Sequence, residues 1–278
     1  MQTNPANNCV LKHHDLWQKI KIEAKTLSEG EPLLASFFHA SIIKHETLAD
    51  ALSYILANKL ATPSMPAMAV REIIEDVYAA NSCVVEFAAC DILATIERDP
   101  AVKLYSTPLL YLKGFHALQG FRVASWLWRQ GRKELAVYLQ NQISAATQVD
   151  VHPAAAIGCG IMFDHATGIV IGETAVIEND VSILQDVTLG GTGKEIGDRH
   201  PKIRRGVMIG AGAKVLGNIE IGEGAKIAAC SVVLAPVPPH TTVAGVPAKI
   251  VGTPASQTPS FEMDQQIPAD AFIAGDGI

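Results

Sequence analysis

Two short stretches of this 278-residue chain carry side chains able to move a proton or grip an anion. The first, Phe163-Asp164-His165-Ala166-Thr167-Gly168, sets an imidazole beside a carboxylate, and a second carboxylate, Asp150, stands fifteen residues upstream of His165. An acid that fixes the tautomer of a histidine and stabilises its imidazolium is the usual support of a general base. No serine elbow accompanies the pair, so the nucleophile is expected to come from the substrate, as an alcohol or an amine. The second stretch runs from Gly190 through Gly191, Thr192 and Gly193 to Asp198-Arg199-His200-Pro201. Its glycine-rich backbone can hold amides toward a carbonyl or phosphate, and Arg199 offers a planar fork to a carboxylate.

A lone histidine in a strand is most often a satisfied structural residue. What argues otherwise is the rhythm that both stretches interrupt. An aliphatic or aromatic residue recurs every sixth position at Val151, Ile157 and Phe163, then at Ile171, Ile177, Ile183 and Leu189, then at Ile203, Ile209, Val215, Ile221, Ile227 and Val233. The beat slips by two residues beside His165 and opens into a longer excursion before His200. Glycine follows the frame residue at 158, 172, 190, 210 and 222. A period of six fits neither a helix nor an alternating strand; it fits short flat rungs with one inward side chain and a tight corner. A two-residue slip must bulge from the wall and re-aim the side chains it carries. In a coil of about eighteen residues, the same slip brings Asp150 near His165.

The hexads resemble those of hexapeptide-repeat proteins, whose rungs stack as a left-handed parallel β-helix, three hexads to a coil. That handedness is implied by the resemblance alone, since left-handed crossovers are an exception in parallel sheets. Thirteen hexads make about four coils, enough for neighbouring rungs to bury a continuous core.

The text before residue 149 is of a different kind. Leu48, Ala51, Leu52, Ile55, Leu56 and Leu60 recur at helical spacing, as do Ile73, Ile74, Val77 and Tyr78. Asp99-Pro100 and Thr107-Pro108 each read as a capping side chain before a first-turn proline. From Pro108 to Ser144 the pattern predicts one long helix, interrupted near Gly131. The sequence therefore divides as α+β: an all-helical domain (1–148) for packing or oligomerisation, a left-handed β-helix (149–253) bearing the chemistry, and a flexible C-terminal tail (254–278). The helical half can also lend side chains to the site. Phe115, Leu118, Phe121, Trp126 and Trp128 read as core or subunit interface. The tail holds Pro254, Pro259 and Pro268, four acids and no Lys or Arg, and ends on Ile278. It reads either as a solvated terminus or as a peptide ligand with a free carboxylate.

A net charge of −6 disfavours nucleic acid as a partner. No apolar run is long enough to span a bilayer, and the N-terminal residues do not read as a signal peptide. The five scattered cysteines, Cys9, Cys83, Cys90, Cys159 and Cys230, suggest neither a disulfide framework nor a zinc site, which points to the cytoplasm. Cys83 and Cys90, two turns apart, are expected to be small buried residues.

Further motifs sharpen the assignment. Asp150-Val-His-Pro-Ala, Asp164-His-Ala-Thr-Gly, Gly190-Gly-Thr-Gly, Asp198-Arg-His-Pro-Lys, Gly245-Val-Pro-Ala, the terminal Gly275-Asp-Gly-Ile, and Lys113-Gly-Phe-His-Ala-Leu-Gln-Gly-Phe-Arg together resemble the serine O-acetyltransferase family across nearly the whole chain. The resemblance implies acetyl transfer from acetyl-CoA, as cosubstrate, to the hydroxyl of L-serine in cysteine biosynthesis, with no bound cofactor or metal. It implies His165 as the base with Asp150 as its partner, Asp164 and Asp99 toward the serine ammonium, and Arg199 toward its carboxylate with His200 beside it. Acetyl-CoA would lie near Gly191, Thr192, Ala211, Lys226 and Ala229, with Lys226 serving the nucleotide phosphates. Ala228-Ala229-Cys230 departs from the family's Gly-Ala-Gly, which bears on backbone contacts to the CoA arm. The resemblance further implies trimers, paired into hexamers, with sites at subunit boundaries. It also implies inhibition by L-cysteine and docking of Ile278 into O-acetylserine sulfhydrylase.

Three rival readings remain at this point. An acyltransferase of the same fold acting on a sugar or on homoserine is one, although a sugar needs no carboxylate clamp. A zinc hydro-lyase using His152, His165 and His200 across a trimer is another, with looser ligand grouping than usual. A bare scaffold would have no reason to break its hexads beside two histidines.

Overall fold

The structure, a computed structural model, describes residues 5–193 and 196–267. Every frame residue lies in a short strand and is buried. The first seven strands are β1 (Asp150–Val151), β2 (Ala156–Ile157), β3 (Met162–Phe163), β4 (Val170–Ile171), β5 (Val176–Ile177), β6 (Ser182–Ile183) and β7 (Thr188–Gly190). After the excursion come β8 (Lys202–Ile203), β9 (Met208–Ile209), β10 (Lys214–Leu216), β11 (Glu220–Ile221), β12 (Lys226–Ile227) and β13 (Val232–Val233). Each strand pairs in parallel with the third one on, which yields three sheets: β1-β4-β7-β10-β13, β2-β5-β8-β11 and β3-β6-β9-β12. Registers stack the frame residues directly, Val151 on Ile171 on Leu189 in the first sheet, so each sheet sends a column of apolar side chains into the core. The third sheet is extended by β14 (Thr242–Gly245) and antiparallel β15 (Ala248–Gly252).

The register measures both interruptions. An undisturbed coil takes 18 residues, from Val170 to Thr188. The coil holding His165 takes 20, from Asp150 to Val170, and the one holding the excursion takes 26, from Val176 to Lys202. Pairing resumes unbroken on either side, so both insertions are expelled at corners. The glycines after the frame residues answer to close approach more than to turn geometry: a Cβ on Gly172 would stand 2.0 Å from His200 Nε2.

The helical half comprises α1 (Pro5–Gly30), α2 (Ala35–Phe38), α3 (Leu48–Leu60), α4 (Ala67–Ala80), α5 (Cys83–Arg98), α6 (Ser106–Tyr111), α7 (Lys113–Arg129) and α8 (Lys133–Thr147). Thr47 and Asp50 form a reciprocal capping box at the start of α3, which satisfies two otherwise orphaned amides. Three expectations are corrected here. Asp99-Pro100 ends a helix instead of starting one, with Asp99 Oδ1 accepting from the Ala101 amide at 2.8 Å. Thr107 does not cap α6, which begins at Ser106; Glu23 of α1 accepts from the Tyr105 and Ser106 amides at 3.1 and 2.8 Å and does that work from a distance. The long helix is broken at Leu112, whose backbone is extended, as well as near Gly131. The cysteine expectation also fails: Cys83 opens α5 at an exposed turn, and Cys90 is half-buried against the β-helix.

One apolar core runs through both halves. The junction is polar and buried. Asp91 of α5 accepts from Arg122 Nη2 at 2.7 Å and Gln119 Nε2 at 2.9 Å, while its other oxygen accepts from the Ile161 amide at 2.9 Å. Arg122 also donates to the Gly158 carbonyl at 2.8 Å. Gly114 of α7 meets β3 so closely that a Cβ there would lie 2.1 Å from the Phe163 carbonyl oxygen.

Up to residue 267 the tail lies against the protein. A short helix, α9 (Pro259–Glu262), crosses the third sheet: Ser182 Oγ donates to the Ser260 carbonyl at 2.9 Å, and the Arg98 guanidinium stacks on Phe261 at 4.4 Å. Ile278 lies outside the described residues. Among the described residues no single helix is long and apolar enough to cross a membrane; the α4–α5 pair reaches that apolarity only across a 98° bend.

Candidate active site

The two-residue slip places His165 and Ala166 in the left-handed region, at φ 53° and 66°. Such a conformation is uncommon for residues with a side chain and is held here by its neighbours. The Gly168 amide donates to Gln148 at 2.8 Å, and Ala166 is fully buried. The His165 side chain is thereby turned outward, 76% exposed, at the corner between the third and first sheets. Its Nε2 stands 3.9 Å from Asp164 Oδ1.

Beside that corner is a cleft of about 240 Å³ lined by Asp99, Tyr111, Lys113, Ile161, Asp164 and His165, among others. This is below the roughly 300–1,000 Å³ of drug-sized sites and suits a small metabolite. One wall is the end of α5 and the start of α7; the other is β3 and the residues after it. Burial raises the Asp164 carboxyl above its ordinary value, the His165 charge opposes that shift and the Asp99 charge adds to it. Two carboxylates facing one small space favour a cation between them. Lys113 closes part of the rim by donating to Thr167 Oγ1.

Asp150 Oδ1 accepts from Gln140 Nε2 of α8 at 2.7 Å, and the carboxylate at ion-pair distance from His165 is Asp164. Arg199 and His200 sit at another edge of the prism, the corner between the first and second sheets. Thr174 Oγ1 accepts from the Arg199 and His200 amides at 3.0 and 3.1 Å and lies 2.9 Å from His200 Nδ1. Nδ1 also accepts from the Thr174 amide at 3.2 Å, so the ring proton belongs on Nε2, above Gly172. Burial, then the Arg199 and Lys202 charges, lower the His200 pKa and keep the ring neutral. Arg199 Nη2 meets Glu173 at 2.8 Å, and the hydrogen bond from Arg199 holds the Glu173 carboxyl below its ordinary value. Among the described residues, the bonds to Glu173 and to the Gly197 carbonyl engage two of the five N–H donors of Arg199. His152 shares this corner, edge-on to Trp128 at 5.0 Å.

The remaining candidates divide between the same two edges. Gly191 and Thr192 follow β7 on the Arg199 edge, where Arg199 Cγ lies 3.5 Å from a Cβ built on Gly191. Ala211 and Ala229 follow β9 and β12, so they stack on the His165 edge. With about 4.8 Å between rungs they lie roughly 10 and 14 Å along the axis from the imidazole. The Ala228-Ala229-Cys230 departure leaves this column intact: Cys230 takes φ 57°, and its amide donates to the Ala211 carbonyl at 2.7 Å. Lys226 is buried on the third sheet, where its ammonium donates to the Gln266 carbonyl at 2.6 Å and lies 3.6 Å from Asp264. The tail, not open solvent, covers it.

Sequence reasoning passed over the Asp91–Arg122–Gln119 junction and the Glu173–Thr174 seat of Arg199 and His200. The first had one usable signal, an acid and a base each set among apolar helix residues. The second had none, because it depends on stacking between coils.

An outward imidazole at a slipped hexapeptide rung, above a column of small corner residues, is the build of a hexapeptide-repeat acyltransferase. Residues 200–235 match the family model for the bacterial transferase hexapeptide (six repeats), and residues 16–120 match that for the serine acetyltransferase N-terminal region. The chain belongs to the serine acetyltransferase family. It is 68% identical over 265 residues to serine acetyltransferase of Escherichia coli (strain K12), covering 95% of this chain and 97% of that one. A solved serine acetyltransferase in complex with cysteine shares 66% identity at a TM-score of 0.90, covering 92% of this chain and 99% of the other. Another in complex with CoA shares 67% identity at a TM-score of 0.84, covering 86% of this chain and 100% of the other.

Proposed function

We propose that the cleft between α5 and the slipped rung is the acceptor site at which this chain performs its family's reaction, acetyl transfer from acetyl-CoA to the L-serine hydroxyl in cysteine biosynthesis. The observation that carries this reading is the convergence of Asp99, Asp164 and an outward His165 on one small cavity. Asp99 and Asp164 receive the serine ammonium. His165 removes the hydroxyl proton as the oxygen attacks the thioester carbon. The tetrahedral intermediate then collapses with cleavage of the C–S bond, and protonated His165 returns its proton to the CoA sulfur. Asp164 assists the imidazolium at close range, and Asp150 joins it if Gln140 yields.

Arg199 completes the site from another chain. Its edge of the prism is not the edge of His165, so one subunit holds half of the clamp. A homotrimer that sets one prism edge against the next brings Arg199 and His200 to the neighbour's His165, and the helical halves pair trimers into hexamers. The pantetheine arm runs up the Ala211–Ala229 column, with Gly191 and Thr192 of the neighbour beside it. Lys226 then meets CoA phosphate only where the tail releases it. L-cysteine, the same zwitterion with a thiol for the hydroxyl, competes in the cleft. The cytoplasm, where acetyl-CoA is available and thiols stay reduced, is the compartment that fits.

Release of CoA thiol from acetyl-CoA tests this directly. Activity with L-serine, suppressed by L-cysteine and small with homoserine or a sugar, is the expected result; preference for a sugar would reject it. Replacing Arg199 with Lys should raise the Michaelis constant for serine about ten- to a hundredfold while sparing that for acetyl-CoA, because a lost bond to a charged group costs about 1.5–3 kcal/mol. Equal loss of both would place Arg199 elsewhere. Removing Ile278 should abolish calorimetric binding to O-acetylserine sulfhydrylase and leave acetyl transfer intact; unchanged binding would exclude the terminal residue as the anchor.

A further inference from the structure

Cys90 lies on α5 beside Asp91, and Cys159 lies on the corner between β2 and β3 beside Gly158; the Asp91–Ile161 and Arg122–Gly158 bonds set these two segments against each other, and the Cys90 side chain bears on the Cys159 thiol. Both are free of any disulfide and half-buried. The surrounding backbone is fastened on each side of the pair. Arg122 holds the Gly158 carbonyl, Asp91 holds the Ile161 amide, and the Cys159 amide itself donates to Asn179 Oδ1 at 3.0 Å. A cysteine on a helix and a cysteine on a β-helix corner are thus kept in register by the buried polar junction of the two halves.

We propose that Cys90 and Cys159 form an oxidisable pair, a modification site at which a hydroperoxide converts two thiols into a disulfide joining the helical half to the β-helix. The Cys159 thiolate attacks one peroxide oxygen and breaks the O–O bond, giving a sulfenic acid and, from hydrogen peroxide, one water. The Cys90 sulfur then attacks the Cys159 sulfur, expels a second water and closes the S–S bond. Two thiols are oxidised by two electrons and one peroxide is reduced. With the two segments fastened to each other on both sides of the pair, side-chain rotation is the motion that brings the sulfurs to about 2.05 Å.

The environment favours the first step. The Cys90 hydrogen bond brings the Cys159 thiol down to about 7, with Arg122 acting in the same direction and burial, Asp91 and Asp180 opposing. A thiolate near neutrality is the nucleophilic form, and reversible disulfides of this kind are those met in reducing compartments. The bond would tie α5, which ends just before Asp99, to the segment that leads into Asp164, so its site is set apart from the reacting atoms yet adjoins the cleft walls.

The test uses the full-length oligomer and hydrogen peroxide, followed by alkylation, non-reducing digestion and mass spectrometry. The expected result is a peptide linked through Cys90 and Cys159, the loss of two titratable thiols per chain, and recovery of both with dithiothreitol. Cys90→Ala and Cys159→Ser should each abolish the link. Cys90→Ala should also slow alkylation of Cys159 at pH 7 by about tenfold, as its ionisation returns toward that of an ordinary thiol. Oxidation of Cys159 without a link to Cys90, a link between any other pair of the five cysteines, or an unchanged alkylation rate in Cys90→Ala would each overturn the proposal.

Discussion

Replacing His165 with Ala lowers turnover with serine by about 10²- to 10⁴-fold, the usual worth of a positioned proton acceptor, while the Michaelis constant for acetyl-CoA changes little. The split follows from position. His165 stands at the corner beside the cleft proposed for the acceptor, whereas the column of Ala211 and Ala229 proposed for the pantetheine arm extends along the axis away from it. Ala is itself strained at φ 53°, so a fall in expression or stability could obscure the kinetics. Asn, which tolerates the left-handed region better, separates the two effects: His165→Asn should keep the fold and still lose turnover. Its urea midpoint should stay near that of the parent protein. Near-normal turnover in a folded His165→Asn variant would remove His165 from the chemistry and leave the cleft as a binding site only.

Much of the fold was legible because a β-helix writes its period directly into the chain. One inward side chain per rung, from Val151 to Val233, is all that the core asks of the sequence, and each interruption of that demand is visible as a change of count. His165 and Arg199 stood out for that reason. Their separation did not. Which prism edge a residue occupies depends on counting rungs in threes through an insertion of unknown path, and the register from Val176 to Lys202 settles that only in three dimensions. Nor was it legible that Gln140 of α8 arrives from outside the β-helix and engages the Asp150 carboxylate. Asp99 was reachable only through family resemblance, since a residue at the end of α5 has no periodic relation to the rungs. Helix boundaries failed where a distant side chain took over a local task, as Glu23 does for the start of α6.

The same dependence on distant partners makes Asp91 the most consequential residue outside the cleft. Asp91 is fully buried, and burial pushes its carboxyl above the ordinary range against the pull of Arg122, Gln119 and the Ile161 amide. Such a pair is weak evidence of net stabilisation, yet removing one member strands the other. Asp91→Ala leaves the buried Arg122 guanidinium facing a void and frees the Ile161 amide that lines the cleft. The expected cost is about 3–5 kcal/mol, read as a lower urea midpoint. Combining Asp91→Leu with Arg122→Met removes both charges and should recover most of that loss, although Ile161 would still lack its partner. The two outcomes separate an electrostatic cause from a packing one. If Asp91→Ala is as stable as the parent, the junction does not hold the halves together. If the double variant is no better than the single, the loss comes from the freed backbone amide instead of the stranded charge. Activity supplies an independent readout, because Ile161 and Asp164 share one short segment. Loss of the Asp91 anchor should raise the Michaelis constant for serine even at temperatures where Asp91→Ala remains folded, and more than it raises that for acetyl-CoA.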